Sequence, residues 1–321
     1  MYDTIVAVND RFHYEPEYQD TSMLFIYPRK GAYKRLTGGM YLPSSNRITL
    51  LWYPGKKIKI NGVLTENSVA YRATGDEFNY DYSLVRDNVL RNLEAFKQIE
   101  LQLDSLLYFR GDRVLTDSLF AERSEALKPV NNAEINYLLN NPDKELSAYY
   151  LSQLALDTIA KYHSRLSPAA RNGLFKTLME YQLNRYNDYM QVMENKFKIR
   201  PGNIAPDFTL PVIDGSALSL YSVNADFVVL DFWGSWCAPC ISGIPKMKEY
   251  YQKYGRKVEF IGIACNDTEK DWKKAVDEHQ PIWPQVINAG SDNVAVKYAV
   301  EAYPTKIIMD KNKTIIAVFR G

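Results

Sequence analysis

An apolar run, FVVLDFW at 227–233, passes through Gly234-Ser235 into Trp236-Cys237-Ala238-Pro239-Cys240, and this junction constrains the chain more than any other stretch. The run predicts a buried strand, and the residues from Ala238 to Tyr254 predict a helix, so the two cysteines stand at a strand-to-helix turn. A thiol at a helix N-terminus faces unpaired backbone N–H groups and the positive end of the helix dipole. Both stabilise a thiolate and lower the pKa of the first cysteine. Cys237 is therefore expected to be a nucleophile. Cys240 lies within reach on the same first turn, where it can resolve a mixed disulfide formed at Cys237.

A CxxC can also be half of a zinc site. The sequence holds no second CxxC, however, and its histidines, His13, His163 and His279, are scattered without ligand spacing. A c-type haem site needs histidine directly after the second cysteine, where Ile241 stands. No metal set is expected. Three cysteines cannot staple a chain of 321 residues, so their spacing points to chemistry. The third, Cys265, ends the apolar segment VEFIGIAC and is expected to be a buried free thiol.

Such a length suggests about two domains. With 39 Lys and Arg against 38 Asp and Glu, net charge +1, there is no electrostatic footprint for nucleic acid or an anionic membrane. No stretch approaches the roughly 18 apolar residues of a membrane helix, and the first residues lack a signal-peptide pattern. Asp3 to Val8 already reads as a strand, so a leader and some preceding sequence are expected to be missing.

Three textures follow one another. Residues 1–75 are rich in β-branched and aromatic residues broken by turn signals and predict a small antiparallel β unit. In it Ile48, Leu50 and Trp52 alternate with Thr49 and Leu51 to bury one face, Pro54-Gly55 turns, and a further alternation ends at Asn61-Gly62. Residues 76–198 repeat apolar positions at helical spacing, as in Leu93, Phe96, Ile99 and Leu103, and predict four or five helices. Breaks are expected at 109–112, 140–143 and 166–168, where Asn141 or Ser167 before proline can cap the next helix. Residues 199–321 alternate strands and helices and predict an α/β layer with a mixed sheet. Asn266-Asp267 is expected to cap the helix Glu269 to His279.

This last region resembles a thioredoxin-like domain. Asp231 to Cys240 is similar to the active-site signature of thioredoxins, and Pro245 to their kinking proline. PGNIAPDFTLPVIDGSALSL, Tyr303-Pro304-Thr305 and KIIMDKNKTIIAV resemble the leading hairpin, cis-proline loop and terminal hairpin of TlpA-like thiol-disulfide oxidoreductases. The β and helical parts ahead resemble, more distantly, the N-terminal region of some Gram-negative envelope proteins.

The resemblance implies a dithiol–disulfide cycle of Cys237 and Cys240 that needs no further cofactor. It implies a buried base, Asp231, and a substrate surface of Trp236, Ala238, Pro239, Tyr303 and a cis Pro304. Protein thiol or disulfide clients and an upstream dithiol donor are the implied partners. The implied compartment is the periplasm or cell envelope, with membrane contact only through an anchor ahead of residue 1. Tyr303 departs from the smaller residue common at that position, which leaves substrate preference open. The chain also stops before the terminal helix usual in the fold. Reduction of protein disulfides is the expected direction. A thiol peroxidase, or a client-binding module in which the redox site is secondary, are the alternatives.

Overall fold

The computed structural model describes residues 3–16, 20–65, 68–290 and 292–321. The chain divides into two compact units, Met1–Leu183 and Asn184–Gly321.

In the first unit the strands are β1 (Ser22–Ile26), β2 (Tyr33–Lys34), β3 (Met40–Tyr41), β4 (Ile48–Trp52), β5 (Lys59–Leu64) and β6 (Val69–Thr74). They form three antiparallel pairs, β1–β4, β2–β3 and β5–β6, instead of one sheet. The strand expected over Asp3–Val8 is absent. Asn9 and Asp10 take left-handed backbone and turn the chain back at once, leaving one bridge between Val8 and Arg11. Asn61-Gly62 is not a turn but lies within β5, opposite Arg72 and Tyr71. The reversal comes later, where Thr65 N–H meets Ser68 O at 2.9 Å. Both faces of β4 are buried, not one. Ile48 and Leu50 pack with Val69, Tyr71 and Ala73, while Leu51 packs with Phe78, Leu138 and Tyr150. The boundary expected at residue 75 thus falls within a shared core.

Helices follow: α1 (Glu77–Asn88), α2 (Leu90–Tyr108), α3 (Arg113–Asn140), α4 (Glu145–Gln153), α5 (Leu156–Tyr162), α6 (Pro168–Arg171) and α7 (Lys176–Asn195), the last crossing into the second unit. These exceed the four or five expected, because Val89 leaves helical geometry between α1 and α2 and Leu154-Ala155 is extended between α4 and α5. Ser167 caps α6, accepting from Ala170 N–H. Asn141 instead ends α3, its amide donating to Tyr137 O at 3.0 Å, and Lys144 stands at the start of α4.

The second unit holds β7 (Thr209–Pro211), β8 (Ala217–Ser219), β9 (Phe227–Trp233), α8 (Ala238–Tyr254), β10 (Val258–Ala264), α9 (Glu269–His279), β11 (Gln285–Ile287), α10 (Val294–Lys297), β12 (Thr305–Asp310) and β13 (Ile315–Arg320). β7 and β8 form the leading hairpin. The main sheet runs β11-β10-β9-β12-β13, parallel from β9 to β11 and antiparallel across β12. This is the thioredoxin-like α/β layer expected; β11, three residues long, is too short to announce itself by alternation. β9 lies at the centre and is buried on both faces, as its unbroken apolar run requires. Val228, Leu230 and Phe232 join one core with Ile261, Ile263, Ile307 and Met309. Val229 faces α8, with Ile244 and Met247.

In the first unit Asn79, fully buried on α1, does the work of a missing strand. Its Oδ1 accepts from Leu51 N–H and its Nδ2 donates to Leu51 O, both at 2.8 Å. Asn79→Ala leaves two buried backbone groups unpaired, each costing about 1–3 kcal/mol. The unfolding free energy of the first unit, measured in urea, should fall accordingly, by about 2–6 kcal/mol. A change no larger than that of a surface substitution would refute this role.

Candidate active site

Strand register brings three loops to one end of the sheet. Trp233 at the end of β9 pairs with Ala264 at the end of β10, and Phe232 pairs with Thr305 at the start of β12. Residues 234–237, 265–268 and 302–304 therefore meet at the carboxyl ends of the parallel strands, where open α/β sheets place their ligands.

Cys237 is the N-cap of α8, its Sγ accepting from Cys240 N–H at 3.3 Å, and Cys237 and Cys240 are joined by a disulfide of 2.04 Å. Both sulfurs belong to buried residues, whereas Ala238 and Pro239 between them are exposed. Proline suits this first turn because its missing N–H would have had no helical partner. Pro245 lies inside α8.

Two contacts fix the segment ahead of Cys237. The Asp267 carboxylate accepts from Ser235 N–H at 2.7 Å and from the Ser235 hydroxyl. The Trp236 indole folds back over Gly234 and donates to Cys265 O at 3.1 Å. A Cβ at Gly234 would sit 2.5 Å from that indole nitrogen, so the site requires glycine. Trp236 remains 53% exposed and meets Tyr303 edge to face at 5.3 Å. The Tyr303–Pro304 peptide bond is cis. Asn266, in left-handed backbone, directs its amide to the Tyr303 hydroxyl at 3.5 Å. The cap expected at Asn266-Asp267 is not formed by either residue. Thr268 caps α9, accepting from Asp271 N–H, because Asp267 is engaged at Ser235.

Asp231 is buried on β9, directly opposite Lys306 of β12, whose ammonium lies 2.6 Å from its carboxylate. Burial raises the Asp231 pKa, and Lys306 acts against it by favouring the charged form. Asp231 and Cys240 border the same small cavity, of about 10 Å³. Cys265 is a free buried thiol, pushed up to about 12 by burial. The structure thus gathers Cys237, Cys240, Trp236, Ala238, Pro239, Tyr303 and Pro304 at one surface and sets Asp231 beneath. Lys306 and Asp267 were missed. A lysine alternating with buried residues two places after Pro304 was the available signal for the first.

Among the described residues no group of three or more His, Cys, Asp or Glu could hold a metal ion, and no helix is long and apolar enough to cross a membrane.

Residues 201–318 match the AhpC/TSA family. The chain is 32% identical over 134 residues to the thiol-disulfide oxidoreductase ResA of Bacillus cereus, covering 41% of this chain and 77% of that protein. It is 29% identical over 139 residues to the thioredoxin-like protein YneN of Bacillus subtilis, covering 42% and 81%. Among solved structures, the thioredoxin domain of a thiol-disulfide oxidoreductase from Bacteroides vulgatus superposes with a TM-score of 0.36 and 28% identity, covering 38% of this chain and 90% of that one.

A carboxyl group whose folded pKa lies above its unfolded value favours the fold at low pH, and that contribution is lost as pH rises through the folded pKa. Asp231 is such a group. Replacing it with neutral asparagine should therefore raise the melting temperature of the oxidised protein relative to the unaltered chain, and by more as pH rises from about 4 toward 8. A difference independent of pH would overturn the assignment of a raised pKa.

Proposed function

This chain belongs to the TlpA-like thiol-disulfide oxidoreductases of the thioredoxin fold, and from that premise we propose that it reduces disulfides in protein clients of the periplasm or cell envelope. The observation that carries the reading is the Cys237–Cys240 disulfide at the N-terminus of α8, flanked by Trp236 and by the cis Tyr303–Pro304 bond.

In the reduced state the helix N-terminus stabilises the Cys237 thiolate. That thiolate attacks one sulfur of a client disulfide, a mixed disulfide forms, and the client's other sulfur leaves as a thiolate. Asp231, through water, takes the proton from Cys240. The Cys240 thiolate attacks Cys237 Sγ, forming the intramolecular disulfide and releasing the client's second thiolate. Two electrons have passed from the dithiol to the client, and an upstream dithiol returns them. Trp236, Ala238, Pro239 and Tyr303 form the surface the client meets, and the backbone at Tyr303–Pro304 offers hydrogen bonds to an extended client segment.

Insulin disulfide reduction in the presence of excess dithiol tests the assignment, and Cys237→Ser should abolish turnover. Mixed with insulin without added dithiol, reduced Cys240→Ser should accumulate a mixed disulfide that later addition of dithiol releases. Retained activity in Cys237→Ser would refute the site. Titrating the pair in graded dithiol buffers, with Trp233 and Trp236 fluorescence as the signal, tests direction. A reductant should give a potential near roughly −270 mV or below, whereas a value near roughly −120 mV would make the protein a disulfide donor.

A further inference from the structure

Four strands place one row of residues side by side beneath the disulfide. Lys306 of β12 pairs in register with Asp231 of β9, Asp231 with Gly262 of β10, and Gly262 with Gln285 of β11. Cross-strand partners share a face of the sheet, so all four positions look toward the cavity side. The gap in the row is the glycine. A Cβ at Gly262 would sit 2.2 Å from Gln285 Oε1 and 2.5 Å from its Nε2, so the amide occupies the space above Gly262 and extends along the row toward Asp231.

Gln285 is a buried polar residue whose amide is only half used. Its Nε2 donates to Trp283 O at 3.3 Å, while Oε1 has no partner within the protein. Buried polar atoms without partners are uncommon and call for an explanation. The indole Nε1 groups of Trp233 and Trp283 are likewise buried without a partner. All three residues line the cavity shared by Asp231 and Cys240. Its volume of about 10 Å³ is the room of about one water. One indole N–H and the amide oxygen can direct such a water, which leaves it a lone pair for a thiol proton and a hydrogen for a carboxylate.

We propose that Gln285, admitted by Gly262, is a positioning residue that orients the water carrying the proton from Cys240 to Asp231. This rests on the dithiol cycle and on Asp231 as its base. The Gln285 oxygen accepts one water hydrogen. The water then takes the Cys240 proton through a lone pair as it gives its other hydrogen to the Asp231 carboxylate. The net transfer is one proton from Cys240 Sγ to Asp231, and the thiolate left behind forms the Cys237–Cys240 bond as the mixed disulfide breaks. The groups facing Asp231 are the Lys306 ammonium from β12 and the Cys240 thiol from α8; β10 presents Gly262 and β11 the neutral Gln285.

The test is stopped-flow oxidation of the reduced full chain by dithiodipyridine, which releases one thiopyridone when Cys237 attacks and a second when Cys240 resolves. Gln285→Leu should leave the first release unchanged and slow the second about tenfold near pH 7, a part of the usual contribution of acid–base assistance. Gln285→Glu keeps the shape and adds negative charge, so the inflection in the pH profile of the second release should move to higher pH. This variant also decides the matter if the leucine variant does not fold. A second release with the rate and inflection of the unaltered chain in the variants that fold overturns the role of Gln285. Asp231→Asn separates that failure from a deeper one. If it alone slows the second release, Asp231 remains the base and Gln285 has no part; if it too changes nothing, the base assignment falls and this inference with it.

Discussion

A strand with no solvent-facing side must be hydrogen-bonded along both edges, and β9 is that strand. With FVVLDFW in the middle of the sheet, both of its edges must be paired; β10 fills one in parallel and β12 the other antiparallel. Every loop of the site follows from this. The end of β9 delivers the cysteines, the end of β10 delivers Cys265 to Asp267, and the start of β12 delivers the cis peptide of Tyr303–Pro304. Chemistry at the surface is thus set by backbone pairing in the core. Asp231 can sit in the central strand because Lys306, across the β9–β12 register, supplies an opposite charge where burial would otherwise leave it alone.

What could be read from the sequence was what is local in it. The CxxC, the strand before it and the helix after it lie within one short stretch, and their order alone places Cys237 at the N-cap of α8. Lys306 is a different matter. It meets Asp231 across 75 positions of chain, and only the register decides whether a lysine in TKIIMD faces solvent or a buried carboxylate. Gln285 depends in turn on Gly262 having no side chain, a relation between two strands that neither segment displays by itself. Asp267 looked like a cap because it precedes a helix; the partner it takes, Ser235, belongs to another strand's loop.

The first unit was less legible for a related reason. Alternation predicted strands correctly over most of 22–74 but implied that they would satisfy one another. They form separate pairs, so edges remain, and side chains close them. Tyr71 OH accepts from Thr49 N–H and donates to Thr49 O, at 3.0 and 2.8 Å. Arg86, buried on α1, donates to Val69 O and Ser45 O. With Asn79 at Leu51, these residues occupy strand edges that would otherwise be open to pairing with another chain. No periodicity marks a tyrosine, an arginine or an asparagine for such a task.

Cys265 bears on how the molecule reaches its native covalent state. Three cysteines permit three pairings, and in the unfolded chain the thiol of Cys265 competes for either partner. Folding removes it from the contest, because the core closes over it and holds it in the protonated, unreactive form. Correct connectivity is then a by-product of packing. A thiol-disulfide oxidoreductase is thereby protected from exchanging disulfides wrongly within itself, and the protection lasts as long as the end of β10 stays buried.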